Sequence, residues 1–229
     1  HANWVNFVSP GFLTYSHIKK INKKFNLFTN GIDEIFIQNR LKEPRKKQNK
    51  IIEITYAGNI GVGQGLETIV LPLADHYQNK ILFNLIGDGS SVNLIKNGIK
   101  KFNLNNINLI PPVQRSELLY YYEKTDIFLL QLNNIPVFEK VLPSKIFDYG
   151  SFDKPILAGV NGVAYSFIHE NLPWACLFNP GDNQSVIKYI DSIVKHGIPK
   201  INNEAFINKF SRKKIMDNML ESIILNRKY

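Results

Sequence analysis

The chain of 229 residues contains a single cysteine, only two methionines and no stretch of about twenty consecutive apolar residues. Each absence removes a class of protein. One cysteine cannot form an intrachain disulfide, and Cys176 lies between Trp174-Ala175 and Leu177-Phe178, so an inert, buried thiol in a reducing compartment is expected. With neither a long apolar run nor a secretory leader, no membrane span or export address is read, and the cytoplasm is the expected location. Catalytic signatures are also scarce. No Gly-Lys-Ser/Thr closes a phosphate-binding P-loop, no G-x-S-x-G marks a hydrolase nucleophile, and the five histidines lack metal-ligand spacing.

What the chain does have is basic charge and enough apolar residues for a core. Lys and Arg outnumber Asp and Glu by 28 to 19, a formal +9, which calls for anionic company: nucleic acid, an anionic membrane face or a phosphorylated ligand. Most of this charge is dispersed. Only residues 42–50 are dense, and with a proline and no apolar period they read as an exposed linker. At 44% hydrophobic, the composition supports one domain of roughly 150 to 200 residues with flanking segments. The chain begins at His1 and its first segment reads as incomplete, with Val5, Phe7 and Val8 lacking partner elements and His17 to Lys24 forming a short helix. A piece of a longer protein is therefore expected. Its divisions are 1–40, a tail ending in a strand-like Phe25 to Phe28 and an Asn30-Gly31 turn; 41–50, the linker; 51–202, the main domain; and 203–229, one C-terminal helix.

From Ile51 the pattern becomes regular. Ile51 to Ala57 reads as a strand, Gly58 to Gly65 as a glycine loop, and Leu66, Ile69, Val70 and Leu73 as a helix that Pro72 kinks or ends early. Ile81 to Ile86 is a strand ending at Gly87-Asp88-Gly89, followed by a helix with Val92, Ile95 and Ile99. Ile107 to Ile110, Asp126 to Leu130, Pro155 to Ala158 and Trp174 to Leu177 supply further strands. Helices are expected from Ser116 to Lys124, from Pro143 to about Ser151, from Val163 to His169, and after Asp182 with Val186, Ile190 and Val194 inward. Continuous apolar strands alternating with helices predict an α/β fold: a Rossmann-like, open, parallel sheet with helices on both faces. Ligands of such sheets bind beyond the carboxyl ends of the strands. The loops starting at Gly58, Gly87, Pro111 and Gln131 all lie on that edge.

Those loops carry the candidate binding residues. Gly58, Asn59, Gly61 and Gln64 combine close backbone approach with amide donors, although no G-x-G-x-x-G fingerprint is completed, since Leu66 stands where its last glycine would fall. Gly87, Asp88 and Gly89 form a second turn. In Leu142-Pro143-Ser144-Lys145-Ile146-Phe147-Asp148, proline suits a first helical turn, Ser144 and Lys145 suit an anion, and Asp148 follows Ser144 on one helix face. Three consecutive tyrosines, Tyr120 to Tyr122, point around a helix, so at least one packs inward.

Taken in order, these stretches resemble the C-terminal, donor-binding half of family 4 glycosyltransferases, whose two-domain architecture is called GT-B. Thr29-Asn30-Gly31-Ile32-Asp33 is similar to the interdomain N-G-[VI]-D, and Tyr56-Ala57-Gly58-Asn59-Ile60-Gly61 to the first donor loop. Leu85 to Gly89 is similar to L-x-G-[DE]-G, and Leu142 to Tyr149, followed by Lys154-Pro155-Ile156-Leu157-Ala158, to the P-S-K-[IL]-F-E-Y region. The branch with this last motif contains bacterial O-antigen and capsule transferases. The resemblance implies that residues 1–40 end an acceptor-binding domain and an interdomain strand, and that 51–202 bind a nucleotide-diphosphate sugar, UDP-linked, for retaining transfer without metal or other cofactor.

It also implies roles. Asp148 takes the place of the glutamate that holds ribose, Pro112 and Val113 that of the loop meeting the base, and Lys145 with the N–H groups near Leu142, Pro143 and Ser144 that of the diphosphate grip. The family's other acid falls at Lys140, with Glu139 as the substitute; Glu139 and Lys145 are thus the candidate catalytic residues. The implied partners are the donor and a saccharide or lipid-linked acceptor, with no nucleic acid and with peripheral contact at the inner membrane face. The alternative is a basic module binding nucleic acid or another anionic polymer, favoured by charge and tyrosines.

Overall fold

The computed structural model describes residues 4–15, 24–39 and 51–226. The expected helix between His17 and Lys24, apart from Lys24 itself, and the basic stretch 42–50 lie outside them.

The first strands, β1 (Trp4–Phe7) and β2 (Lys24–Leu27), pair in parallel as a small sheet, so the opening segment does have a partner, contrary to the expectation from sequence. A short α1 (Glu34–Asn39) follows the Asn30-Gly31 turn. The main sheet is built from β3 (Ile52–Ala57), β4 (Ile81–Ile86), β5 (Ile107–Ile110), β6 (Ile127–Gln131), β7 (Ile156–Gly159) and β8 (Cys176–Phe178), in the order β5-β4-β3-β6-β7-β8 with all neighbours parallel. The order changes direction between β3 and β6, which places a crevice beyond their carboxyl ends. β8 begins at Cys176 rather than at Trp174.

Between and after the strands run α2 (Glu67–Tyr77), α3 (Val92–Lys101), α4 (Arg115–Lys124), α5 (Lys145–Gly150), α6 (Gly162–Asn171), α7 (Asn183–His196), α8 (Glu204–Phe210) and α9 (Arg212–Asn226). They cover both faces of the sheet. Alternation along β6 sends Ile127 and Leu129 to one face and Phe128 and Leu130 to the other, all of them buried. On the first face they meet an aliphatic layer from α2, α3 and α7, including Ile69, Leu73, Ile95 and Ile190. On the second they meet rings: Phe128 stacks on Tyr149 at 4.5 Å, and Tyr122 meets Phe128, Tyr149 and Phe152 edge-on. Each such side chain, fully buried, contributes about 1.5–3 kcal/mol. Of the three consecutive tyrosines, Tyr122 is the inward one and Tyr120 is exposed.

Three expectations about the helices are corrected, two of them by contacts distant in sequence. α2 runs through Pro72 to Tyr77 instead of ending early. Proline cannot donate to the Thr68 carbonyl, and the Asn183 side chain replaces that donor at 3.1 Å, so the turn remains hydrogen-bonded. In α7, capped by the Asp182 carboxylate accepting from Ser185 N, the inward residue of the last turn is Ile193, while Val194 is exposed. The C-terminal segment is two helices rather than one. Ser211 leaves the helical conformation where Ile32 docks, donating its N–H to the Phe210 carbonyl at 2.8 Å and accepting from Arg212 N at 2.9 Å.

Candidate functional site

At the carboxyl ends of β3, β4 and β5 lies a cavity of about 350 Å³, lined by Ala57, Gly58, Asn59, Ile86, Gly87, Asp88, Pro112, Val113, Leu118 and Lys145. A smaller recess of about 250 Å³ adjoins it through Gly87, Asp88 and Pro112 and extends to Val92 and Lys96 of α3. Three of the four loops placed by sequence on the ligand edge thus meet around one space, and α5 closes it with Lys145.

The floor is set by backbone contacts. Gly58 N donates to Ile86 O at 2.8 Å and Gly87 N to Ile110 O at 2.9 Å, which continues the sheet ladder past the strand ends. Gly87 has φ +141°, and a Cβ there would collide with the Gly58 carbonyl, so side chains are excluded by both conformation and space. Beyond them, Ile60 N donates to Asp88 O and Ser91 N to Ile60 O, tying the two loops together. Apolar Ala57, Ile86, Val113 and Leu118 form one wall, and Tyr149 receives the Ala57 N–H at 2.9 Å from below.

Lys145 is the cation of this space. It lies against Gly58, where any Cβ would strike its side chain. Burial pulls its ammonium below the ordinary lysine range, the Asp148 carboxylate opposes that shift, and Arg115 adds to it. Asp148 is half-buried one turn further along α5 and does not line the cavity. Burial pushes its carboxyl up to about 6 against the pull of Lys145, Arg115 and Arg212. The same two arginines grip buried Asp33, of the Asn30-Gly31-Ile32-Asp33 turn, one on each carboxylate oxygen. A charge network therefore links the turn after β2, the start of α4, the start of α9 and Lys145.

The other sequence-predicted residues occupy the rim or the core. Gly61 and Gln64 lie on the glycine loop, where the Gln64 side-chain oxygen accepts from Asn59 Nδ2 at 3.0 Å and Gly61 N at 3.2 Å. Gly89 is pressed against the Ile60 carbonyl. Leu142 is buried, Pro143 half-buried and Ser144 exposed; Ile146 N donates to Pro143 O at 3.2 Å, so the first turn of α5 opens at the proline. Glu139 is exposed in a 3₁₀ turn, Pro136–Lys140, with its backbone against Gly162. Neighbouring Lys140 is drawn to the N-terminal segment: its carbonyl accepts from Ser9 Oγ at 2.6 Å and its ammonium lies 4.1 Å from the Tyr15 ring. Burial pushes the Cys176 thiol up to about 11, which disfavours the reactive thiolate near neutral pH. Sequence reasoning missed Arg115 and Leu118. Neither belongs to a glycine or proline signature, although Arg115 directly follows the Pro111–Gln114 loop.

Comparisons with known proteins bear on the family and the fold. The chain belongs to the family described as glycosyl transferases group 1, whose profile matches residues 37–214. No curated protein sequence matches it. Among solved structures, Anabaena HepE in complex with UDP and glucose superposes with a TM-score of 0.73 at 15% identity, over 97% of this chain and 63% of that one. The apo lipopolysaccharide outer core galactosyltransferase WaaB gives 0.69 at 12%, over 98% and 62%. A UDP-forming α,α-trehalose-phosphate synthase from Burkholderia xenovorans with glucose-6-phosphate gives 0.71 at 10%, over 96% and 60%. The shared feature is the Rossmann-like half of the GT-B fold, and the chain spans less than two thirds of each of these proteins. Among the described residues, no helix is long and apolar enough to cross a membrane.

Proposed function

We propose that the cavity takes the nucleotide diphosphate of a UDP-linked sugar. The chain is then the donor-binding half of a retaining family 4 glycosyltransferase that adds a hexosyl, amino- or deoxy-sugar residue in bacterial surface polysaccharide synthesis, of O-antigen or capsule type. The observation that carries this reading is the convergence of Gly58, Asn59, Gly87, Asp88, Pro112, Val113 and Lys145 on one 350 Å³ space. That volume lies within the range of about 300–1,000 Å³ usual for small-ligand sites. Family membership supports sugar transfer. HepE, held with UDP and glucose, supports a uridine nucleotide, and WaaB supports a polysaccharide product.

In this arrangement the base lies on the apolar wall of Pro112, Val113 and Leu118, and the phosphates lie where backbone N–H groups, Asn59 and Lys145 converge. A half-buried lysine gains counter-charge when a diphosphate binds, which opposes the lowering that burial imposes on its ammonium. The same cation stabilises the departing nucleotide diphosphate as the sugar–oxygen bond breaks. Preorganised donors aimed at developing charge supply much of the barrier lowering in such reactions. Asp148 takes ribose, Glu139 faces the sugar, and no metal or organic cofactor enters the scheme. The acceptor, a saccharide or a lipid-linked sugar, is bound by a part of the protein outside this chain. The basic surface suits work at the cytoplasmic face of an anionic membrane.

Titration calorimetry of the chain with UDP-glucose and other nucleotide sugars tests the reading. Saturable binding is expected, weakened about tenfold or more in Lys145→Ala, the usual scale for a hydrogen bond to a charged group. Absence of nucleotide binding, with oligonucleotide binding of steep salt dependence instead, would overturn it.

A further inference from the structure

β3 and β6 pair only at Ile54 with Ile127 and Thr55 with Phe128. Beyond that point β6 continues beside β7 as far as Gln131, and the end of β3 keeps β4 as its neighbour, Ala57 lying opposite Ile86. Successive N–H groups of a strand point to alternate neighbours. Gly58 N is taken by Ile86 O of β4, so Ala57 N faces the split, where β6 no longer accepts it. The Tyr149 hydroxyl accepts it instead, at 2.9 Å. Ala57 is 2% exposed, and without that acceptor its N–H would be orphaned inside the protein.

Tyr149 comes from α5, and its ring is clamped: it is fully buried, stacks on Phe128 at 4.5 Å and meets Tyr122 edge-on. Lys145 stands four residues earlier, on the same face of the helix. Its side chain runs against Gly58, the residue that follows Ala57. One face of α5 thus meets two successive residues of the cavity floor, and Ala57, Gly58 and Lys145 all line the cavity. With six residues, α5 is too short to be stable or oriented by its own hydrogen bonds, so its placement comes from such contacts. Ring stacking would hold a phenylalanine equally well. The hydroxyl alone ties the helix to the main chain of β3.

We infer that Tyr149 is a positioning residue of the donor site: its hydroxyl fixes α5 to the end of β3 and thereby sets Lys145 over Gly58, where the phosphates of the nucleotide lie. This rests on the donor-site reading above and adds to it the group that holds the cation in place. Tyr149 does not touch the ligand. Its effect on binding therefore passes through Lys145.

The test is a double-mutant cycle on UDP affinity, measured by calorimetry and, for the weaker variants, ligand-observed NMR, with Tyr149→Phe, Lys145→Ala and the two together. Tyr149→Phe is expected to lower UDP affinity about fivefold in the otherwise unaltered chain and less than about twofold in the Lys145→Ala background, the non-additivity of residues that act as one unit. Equal losses in both backgrounds, or no loss in either, would overturn the inference and leave the donor site standing. If Tyr149→Phe does not fold, amide hydrogen exchange of the unaltered chain carries the test. By reciprocity, a diphosphate that engages Lys145 tightens the bond that places it, so the Ala57 N–H is expected to exchange more slowly with UDP bound than with uridine bound. Equal exchange with both would overturn the inference. If the unaltered chain binds no UDP, the donor-site reading fails and this one with it.

Discussion

On the β3 and β4 side of the cavity the loops meet backbone to backbone, whereas on the β6 and α5 side the geometry is held by side chains reaching from remote parts of the chain. Gly58 and Gly87 touch main chain to main chain, and Gly89 touches the Ile60 carbonyl. On the other side, Lys145 is influenced by Asp148 and Arg115, Asp148 in turn by Arg115 and Arg212, and Asp33 ties the two arginines to the turn after β2. The first side tolerates no added atom. The second can exchange partners, and it holds Lys145 and Asp148, whose ionisation burial disfavours in both.

The sharpest way to break the contrast is Gly87→Ala. The residue combines φ +141° with direct contact between its missing side chain and the Gly58 carbonyl, so strain and overpacking add. About 3–5 kcal/mol of stability is expected to be lost, together with ligand binding, as read from urea unfolding midpoints and calorimetry. A loss below about 1 kcal/mol would mean that the two loops can part, and that the first side is as adjustable as the second.

On the other side the largest effect depends on pH. Burial raises the Asp148 carboxyl from its ordinary value of 3.8 to about 6. Between those values the folded chain binds more protons than the unfolded one, so this group's contribution to stability is full below the unfolded pKa and is lost as pH rises through about 6. The difference amounts to about 3 kcal/mol at most. Asp148→Asn is therefore expected to match the unaltered chain near pH 4 and to be the more stable above pH 6, as measured by unfolding at both pH values. If the ionised carboxyl takes ribose, UDP-glucose binding tightens as pH rises through 6 in the unaltered chain and is flat in the variant.

Asp33→Asn tests the long-range tie. The carboxylate is buried but its arginines are half-exposed or more, at 50% and 62%, so water relieves part of the broken pairing. About 2 kcal/mol is expected in urea unfolding, less than the 3–5 kcal/mol typical of a fully buried pair. Because Arg115 begins the helix that follows Pro112 and Val113, uridine affinity falls with it.

The same contrast explains what the sequence revealed. Strand ends, glycine turns and the Pro143 helix start were legible because local rules of period and conformation dictate them, and Gly58, Gly87, Pro112, Val113 and Lys145 do line one cavity. The illegible features depend on partners far along the chain. Pro72 reads as a helix breaker unless Asn183 is known to reach the Thr68 carbonyl. The break at Ser211 is invisible until Ile32 docks there. The tie of the Gln131 side chain to the Gln64 and Gly65 carbonyls carries no local signature, since it depends on where the glycine loop passes.

The smallest effect is expected at Glu139, and it is informative for that reason. The side chain is exposed, it does not line the cavity, and only its backbone is fixed, by contact with Gly162 at φ +59°. Glu139→Ala should therefore change stability by less than about 0.5 kcal/mol. Its UDP affinity should stay within twofold, because the side chain is exposed and does not line the cavity. A role toward the sugar would appear only as a change in the ratio of UDP-glucose to UDP affinity. If that ratio is unaltered, the acid is not a sugar contact in the isolated chain, and the side of the cavity held by side chains ends at Lys145. Lys140→Ala is the matched control: with its ammonium over Tyr15 and its carbonyl bonded to Ser9, it should loosen the N-terminal segment without altering the ratio.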